Sequence, residues 1–248
     1  MNIIIPSYKR SDNLIGKDYF NMAKYCVPES QEKEYIKVLG KKRVIILPDD
    51  EDGNIVKKRN WILKNISRPL IMIDDDVSEL NYFESNNNKP KKKTLDINNL
   101  TTFFEKSFLL CNEFGAKMWG INQNQDTVAY KQYSPFNLSN IILGPFQGHL
   151  DHDLLFDERV GSKDDYDMSL QHLNKYKKVL RLNKYSYDCK HGDNSGGIVS
   201  YRSKDKEIEY CKAIMRKWGK RIIQYQIPPK KMTDLLNAKK VNVPIGGV

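Results

Sequence analysis

The feature of this sequence that most restricts its fold is an apolar run that ends in three aspartates. Residues 69–73 (PLIMI) are followed directly by Asp74, Asp75 and Asp76. A short, continuously apolar run is typical of a strand buried on both faces, as in a parallel sheet covered by helices. Three adjacent carboxylates repel one another severely unless a cation compensates their charge. The run therefore predicts a central strand with a functional site at its carboxyl end.

Strand and helix signals alternate around this run. They predict strands at residues 2–6, 43–48, 69–73, 117–121 and 178–187, and helical segments at 16–26, 53–65, 98–114, 164–176 and 205–218. Such alternation indicates an α/β protein, in which a central, mostly parallel sheet is flanked by helices. A ligand of such a sheet is expected at the carboxyl ends of the strands.

Three segments interrupt this pattern. Residues 130–156 are rich in aromatic residues, Gly and Pro, which favours β-structure with turns. The polar, basic segment at 84–94 has too few apolar residues to pack and is predicted to be a mobile loop. The basic tail after Ile227 is expected to be loosely attached. We therefore predict a single domain at 1–226, followed by a basic C-terminal extension at 227–248.

The charge of the chain points to a class of partner. A net charge of +10 favours a polyanion such as nucleic acid, because neutralising phosphates releases counterions. Part of that excess is explained by a general abundance of Lys and Asn, as in proteins from AT-rich genomes. No apolar run approaches the roughly 18 residues of a membrane span. A cytoplasmic location and no membrane partner are therefore expected, and the four widely spaced cysteines predict reduced thiols.

The aspartate triplet is a candidate metal site. In an extended segment Asp74 and Asp76 lie on the same side, where both can reach a single ion. Carboxylates suit the hard cations Mg²⁺ and Mn²⁺, whose shells are completed by waters and phosphate oxygens. The alternative is a solvated acidic turn after a core strand. The apolar run ahead of three consecutive aspartates favours the metal site.

Two basic or polar segments are candidates for binding the donor. The first strand ends in Pro6, Ser7, Tyr8 and Arg10, at the edge where a base or ribose would be contacted. Arg59 belongs to a helix ahead of the acidic strand and is a candidate to hold a diphosphate or a nucleobase. Each segment also has a simpler interpretation, a turn after a strand in the first case and a solvated basic helix face in the second.

A second acidic group opens the helix predicted at 164–176. Asp164 and Asp165 are candidates for catalysis and Asp167 for substrate binding, although carboxylates in a first helical turn also cap the helix and complement its dipole. His191 follows in a Gly-rich segment, where it is a candidate for a late metal ligand or a phosphate contact.

Two other histidines are less informative. His149 and His152 suggest an alternative metal cluster, but no third ligand with a recognisable spacing accompanies them. They are therefore interpreted as surface-loop histidines.

The order of these motifs resembles that of the GT-A nucleotide-sugar transferases. The motifs are IPSYKR, KKRN, IMIDDDV, KDDYD and a His-containing segment, between residue 1 and about residue 200. More narrowly, the chain resembles the TET-associated glycosyltransferases of bacteriophages, which are thought to modify oxidised or hydroxymethylated pyrimidines in phage DNA. The resemblance implies a GT-A (Rossmann-like) fold.

The resemblance also implies roles for the donor-side residues. Asp74 and Asp76 match the D-x-D that binds Mn²⁺ or Mg²⁺ and the nucleotide diphosphate, and Asp75 between them is a further candidate for binding the donor. Arg59 and Asn60 match the R-N pair that lies over the donor. His191 falls where such enzymes often supply a third metal ligand.

On the acceptor side, the resemblance implies that the second carboxylate of an E-D-x-D stretch faces the acceptor. Asp164, Asp165 and Asp167 match this stretch, with Lys163-Asp164 where relatives carry Glu-Asp. Asp165 is the favoured base, and the choice between Asp164 and Asp165 stays open.

The implied activity is the transfer of a hexosyl or pentosyl group. The donor would be a nucleotide sugar, UDP-linked by preference, and the acceptor the hydroxyl of a 5-hydroxy- or 5-hydroxymethylpyrimidine in DNA. Three alternatives stay open. They are a saccharide or protein acceptor, a Mg²⁺-dependent nuclease or phosphotransferase built on the aspartate triplet, and a non-catalytic nucleic-acid-binding module.

Overall fold

A computed structural model describes residues 1–86, 89–128, 130–189 and 203–244 of the chain. The strands are β1 (Asn2–Pro6), β2 (Lys24–Pro28), β3 (Val44–Leu47), β4 (Leu70–Ile73), β5 (Val77–Asn86), β6 (Lys89–Thr94), β7 (Met118–Asn122), β8 (Phe146–His149), β9 (Leu180–Cys189), β10 (Ile223–Gln224) and β11 (Lys240–Val241). The helices are α1 (Glu32–Leu39), α2 (Ile55–Asn65), α3 (Leu100–Glu113), α4 (Asp164–Tyr176), α5 (Lys204–Trp218) and α6 (Thr233–Leu236).

Within the described residues, nine strands form one sheet in the spatial order β3-β2-β1-β4-β8-β7-β9-β5-β6. The first four in this order are parallel. β8 runs antiparallel between β4 and β7, and β7 is parallel to β9. The β5–β6 hairpin completes the far edge in antiparallel pairing. The predicted α/β fold of GT-A type, a mostly parallel sheet flanked by helices, is confirmed.

The central strand β4 is buried on both faces, as its apolar sequence predicts. Ile71 and Ile73 belong to one core with the phenylalanines of α3. Leu70 and Met72 belong to the other core, under α2 and α4. Because the strand fills both cores, its carboxyl end is held firmly at the sheet edge where the aspartates begin.

The helix predicted at 16–26 is wrong. Residues 11–22 form turns, and β2 follows at Lys24. Tyr25 and Val27 enter one core while Cys26 enters the other. Side chains that alternate between two faces in this way require a strand, which pairs in parallel with β1.

The loop predicted at 84–94 is also wrong, because its described residues belong to the β5–β6 hairpin. Strand pairing needs backbone hydrogen bonds and no buried side chains, and charged side chains are common on edge strands, where they discourage aggregation. The lysines of β6 form ion pairs along this edge. Lys92 Nζ lies 2.8 Å from Asp188 Oδ1, and Lys93 Nζ lies 2.5 Å from Glu84 Oε2.

Only part of the region 130–156 forms β-structure. β8 is its one strand, and Asn137 makes an isolated bridge to Arg181. The remaining residues form turns and irregular segments.

The C-terminal tail is packed between residues 233 and 241, contrary to the expectation of loose attachment. β11 pairs antiparallel with β10. Leu235 of α6 is fully buried in a third core that includes Ile214 of α5 and Leu170 of α4. The tail therefore contributes to the support of α4. The domain boundary at 226 stays a prediction.

No disulfide joins the four cysteines, and Cys26, Cys111 and Cys211 are buried. Their reduced state stays a prediction. Among the described residues, no helix is both long and apolar enough to cross a bilayer.

We predict that Leu235→Ala lowers the free energy of unfolding by about 2–5 kcal/mol, because it removes buried methyl groups and leaves a cavity. Urea denaturation followed by circular dichroism measures the loss. Met232→Ala is the matched control, because Met232 is 39% exposed and its truncation should change stability by less than about 1 kcal/mol. Equal losses in the two variants would show that the tail is not packed.

Candidate functional site

The candidate site lies at the edge of the sheet where β1 and β4 end and β8 begins. Asp74 to Val77 form a turn rather than a continued strand, and Val77 N donates to Asp74 O at 3.2 Å. Asp74 N donates to Pro145 O at 2.9 Å, which joins the turn to the start of β8. The extended geometry expected for the triplet is therefore wrong. The turn relieves the mutual repulsion of the three carboxylates, because each finds a different partner.

Asp75 turns toward the segment that follows β1. Its carboxylate accepts a hydrogen bond from Ser7 Oγ at 2.5 Å and forms an ion pair with Arg10. Ser7 Oγ also lies 2.7 Å from the Tyr35 hydroxyl. Burial raises the pKa of Asp75 to about 6, although Arg10 and Ser7 oppose that shift. Asp75 thus links the turn after β4 to the segment after β1. Ser7 and Arg10 contact that turn through the Asp75 carboxylate. Its own place in donor binding stays a prediction.

Pro6 and Tyr8 flank this contact. Pro6 is the last residue of β1 and is buried, whereas Tyr8 is partly exposed. The ammonium groups of Lys9 and Lys58 lie 5.2 and 5.5 Å from the centre of the Tyr8 ring. Tyr8 is therefore the aromatic group of this segment that a base or a sugar could reach.

Arg59 of α2 joins the two acidic groups. Its guanidinium donates to Asp74 Oδ1 at 2.6 Å and forms a second ion pair with Asp164. Arg59 and Asp164 are buried, whereas the Asp74 side chain is 29% exposed. Burial raises the pKa of Asp74, Arg59 opposes the shift, and the charge of Asp76 adds to it. The interpretation of this helix face as basic and solvated is therefore wrong at Arg59.

Asn60, the next residue, fixes the segment that covers Arg59. Its side-chain amide donates to Phe156 O at 2.9 Å and accepts from Phe156 N at 2.8 Å. The Phe156 ring centre lies 5.8 Å from the Arg59 guanidinium carbon. Asn60 therefore holds Phe156 in place beside the Arg59 guanidinium. A direct contact between Asn60 and the donor stays a prediction.

Asp165 sits at the start of α4 beside Asp164. Its Oδ2 accepts from Gly144 N at 2.7 Å, and its Oδ1 accepts from Tyr166 N at 2.7 Å. Burial raises the pKa of Asp165 to about 6, and the neighbouring charge of Asp164 acts in the same direction. A half-buried carboxylate with this pKa is suited to accept a proton near neutral pH.

Asp167 has a different environment from Asp165. It is fully buried, and its oxygens accept from Trp218 Nε1 at 2.7 Å and Gln171 Nε2 at 2.7 Å. Lys217 Nζ adds an ion pair at 2.8 Å. These contacts hold α5 against α4, and a contact between Asp167 and substrate stays a prediction.

Asp76 points toward the end of β9, where it hydrogen-bonds with Cys189. His191 follows two residues later and lies outside the described residues. Asp74 and Asp76 offer the oxygen donors that Mn²⁺ and Mg²⁺ prefer, and the pKa of Asp74 is raised by burial and, to a smaller extent, by the charge of Asp76. In the described part of the chain, no third side chain joins this pair in a preformed group of three ligands. A cation there would need further ligands from the donor, from water or from His191.

A small cleft lies at the end of β7. Its volume is about 240 Å³, and it is lined by Ile121, Asn122, Gln123, Asn124, Ile141, Leu143, Arg181 and Asn237. Leu143 directly precedes Gly144, whose amide binds Asp165. The cleft is therefore linked through one lining residue to the glycine that binds the candidate base. Sequence reasoning missed both Gly144 and this cleft, because Gly144 is 21 residues from Asp165 and carries no side chain to recognise.

The interpretation of His149 and His152 as surface-loop histidines is wrong. His149 is fully buried and His152 is 9% exposed. A third buried histidine, His172 of α4, lies with them. The only sequence signal was the pair itself, because His172 is 20 residues further along and joins the pair only when α4 packs on the sheet.

We predict that Arg59→Gln lowers the free energy of unfolding by about 3–5 kcal/mol, because it leaves buried Asp164 without its counter-charge. The loss should be larger at pH 8 than at pH 5. Arg59 opposes the rise in the pKa of Asp74, so without the arginine that pKa rises further, and proton uptake at low pH then removes part of the penalty. Denaturant titrations at both pH values measure this. Exposed Lys64 on the same helix supplies the control Lys64→Gln, and equal effects of the two changes would contradict the bridging role.

Comparison with known proteins assigns the chain to a family. The sequence model of the TET-associated glycosyltransferases matches residues 1–197, a span that contains every site residue predicted from the sequence. No curated protein matches the chain. The match covers well over half of the sequence and agrees with the fold and with the carboxylates gathered at the sheet edge. The chain therefore belongs to the TET-associated glycosyltransferase family.

Proposed function

We propose that this glycosyltransferase moves a sugar from a nucleotide-sugar donor, UDP-linked by preference, to the hydroxyl of a 5-hydroxy- or 5-hydroxymethylpyrimidine in DNA. Its main support is the convergence of two acidic groups at one sheet edge. Arg59 bridges Asp74 and Asp164, and Asp165 stands beside Asp164 on the Gly144 amide. A donor-binding acid and a candidate base are thereby brought together.

On the donor side, Asp74 and Asp76 are the proposed ligands of Mn²⁺ or Mg²⁺, with His191 as a third candidate. Such a cation, when bound, neutralises charge on the departing nucleoside diphosphate. The Asp74 carboxylate is partly exposed, and it forms an ion pair with the buried Arg59. Arg59 also adds fixed positive charge close to where the diphosphate would lie.

On the acceptor side, Asp165 is the proposed base. Two backbone amides orient its carboxylate, and its pKa of about 6 leaves it ionised at neutral pH. The acceptor hydroxyl transfers its proton to Asp165 as the hydroxyl oxygen bonds to the anomeric carbon of the sugar. The bond from that carbon to the diphosphate oxygen breaks, and its electron pair leaves with the nucleoside diphosphate. A single displacement of this kind inverts the anomeric centre.

DNA is the proposed acceptor for reasons of charge and chemistry. The chain carries a net charge of +10, as expected for a partner rich in phosphate. The 5-substituent of a pyrimidine lies in the major groove, where it can be reached in the duplex or after the base is flipped out. The cleft beside Gly144 is the proposed place for the acceptor group. The lysines of β6 are weaker candidates for phosphate contacts, because Lys92 and Lys93 already form ion pairs.

We predict that donor binding depends on Asp76. In a thermal-shift measurement, a UDP-sugar with Mn²⁺ should raise the melting temperature of the wild-type protein in accordance with RT ln(1 + [L]/Kd). Asp76→Ala should lose that increase, whereas Asp50→Ala, which changes an exposed carboxylate, should keep it. An unchanged increase in Asp76→Ala would contradict the proposed metal site. No increase with any UDP- or GDP-sugar would contradict the donor site.

We predict that Asp165→Asn lowers kcat about 10²- to 10⁴-fold while the donor-induced thermal shift is retained. The assay supplies DNA that contains 5-hydroxymethylpyrimidines, with unmodified DNA and oligosaccharides as comparison acceptors. Wild-type activity should fall as the pH drops below about 6, because Asp165 is then protonated and accepts no further proton. Asp205→Asn, a change of an exposed carboxylate on α5, should leave kcat unchanged.

Two outcomes would contradict parts of this assignment. A product with retained anomeric configuration would exclude the single displacement with Asp165 as base. Transfer to an oligosaccharide but not to modified DNA would contradict the proposed acceptor. It would not contradict the proposed donor site.

A further inference from the structure

A second cluster of potential ligands lies away from the acidic edge, between β8 and α4. His149 is the last residue of β8, His152 follows in the next turn, and His172 lies in the second half of α4. One ring nitrogen from each of the three lies within 4.8 Å of the others. His149 and His172 are fully buried. Three imidazoles, from β8, from the segment after it and from α4, thus converge inside the protein.

The hydrogen bonds of this cluster are incomplete. His149 Nδ1 lies 3.0 Å from His152 Nε2, and Leu154 N donates to His152 Nδ1 at 3.1 Å. Within the described residues, neither ring nitrogen of His172 has a hydrogen-bond partner, and His149 Nε2 also has none. Buried polar atoms are nearly always paired, so an imidazole with two unpaired nitrogens points to a ligand that these nitrogens would bind.

We propose that His149, His152 and His172 bind a transition-metal ion, Zn²⁺ foremost. Neutral imidazoles are preferred ligands of Zn²⁺, whereas Mg²⁺ and Mn²⁺ prefer carboxylates and water. This site is therefore distinct in place and in chemistry from the one proposed at Asp74 and Asp76. A tetrahedral ion with Zn–N bonds of about 2.0–2.1 Å places two ligand nitrogens about 3.3 Å apart. The 3.0 Å pair is close to that spacing.

The protonation of the rings is compatible with metal binding. Without an ion, the Leu154 amide bond assigns the proton of His152 to Nε2, which donates to His149 Nδ1. Metal binding moves that proton to Nδ1 and gives up the Leu154 bond, which metal–nitrogen bonds replace. Burial lowers the pKa of His152 to about 4 and that of His172 to about 3, so all three rings stay neutral near pH 7.

The charges around the cluster are balanced. Asp151 and Asp153 stand on either side of His152, and they pair with Arg68 at 3.6 Å and with Lys175 respectively. The Tyr176 hydroxyl also donates a hydrogen bond to Asp153 Oδ1 at 3.3 Å. Both carboxylates are exposed and each already has a cationic partner, so the protein charges next to His152 cancel.

The position of the cluster indicates a structural role. Its three ligands connect β8 to α4, and the first turn of α4 carries Asp164 and Asp165. A metal ion between these elements would fix the direction of α4 and hence the place of those carboxylates. Three protein ligands leave one position of a tetrahedral ion for water.

The test is the metal content of the purified full-length protein. We expect about one zinc ion per chain after gel filtration, measured by inductively coupled plasma mass spectrometry. Occupancy should fall at least about tenfold in His152→Gln and in His172→Gln. His191→Gln is the matched control, because it changes the remaining histidine of the chain, and it should keep its zinc. Asp76→Ala should also keep zinc, which separates this site from the acidic one.

A spectroscopic measurement on wild-type protein covers the case in which the histidine variants fail to fold. After treatment with a chelator, Co²⁺ should give the visible bands of a tetrahedral ion with nitrogen ligands, and Zn²⁺ should raise the melting temperature. Three results would overturn the proposal. These are a folded wild-type protein that takes up neither ion, zinc retained equally in both folded variants, and thiolate-to-metal bands that assign the ion to a cysteine.

Discussion

Arg59 holds together parts of the chain that are far apart in sequence. Its guanidinium lies between Asp74, at the end of β4, and Asp164, at the start of α4. Arg59 and Asp164 are buried, and a buried charge without its partner is strongly destabilising. The three residues therefore depend on one another. The rest of the acidic edge is arranged around this bridge, because it sets the distance between the aspartate triplet and the first turn of α4.

Helix α4 carries the connections that keep this bridge in place. Asp167 binds Trp218 of α5, and Leu170 contributes to the core that the C-terminal tail completes. Further along the helix, His172 approaches the end of β8. These contacts fix the direction of α4 and hence the position of Asp165, the proposed base. A displacement of about 1 Å between a base and its substrate is costly to catalysis, so the proposed role of Asp165 depends on this support.

Local signals were sufficient for much of the fold. β1 and α4 begin and end where the sequence predicted, and β4 lacks only the proline at its predicted start. These elements have strong patterns of their own, such as an apolar run or a helical period. The predictions failed where pairing with a neighbour decided the structure. β2 is a strand because it lies beside β1, and β6 is a strand because β5 offers it backbone hydrogen bonds. The local sequence of β2 or β6 does not show which strand will lie beside it.

The sequence by itself determined the α/β class, the acidic residues at strand and helix ends and their order along the chain, because these depend on residue type and local spacing. The tertiary structure alone decided which partner each of these side chains has. Arg59 and Asp164 are 105 residues apart, and Asp165 binds the backbone of a glycine. It also converted two apparent surface histidines into a buried group of three. Such pairings depend on how the sheet and helices pack, since residues distant in sequence are brought into contact only by the folded core.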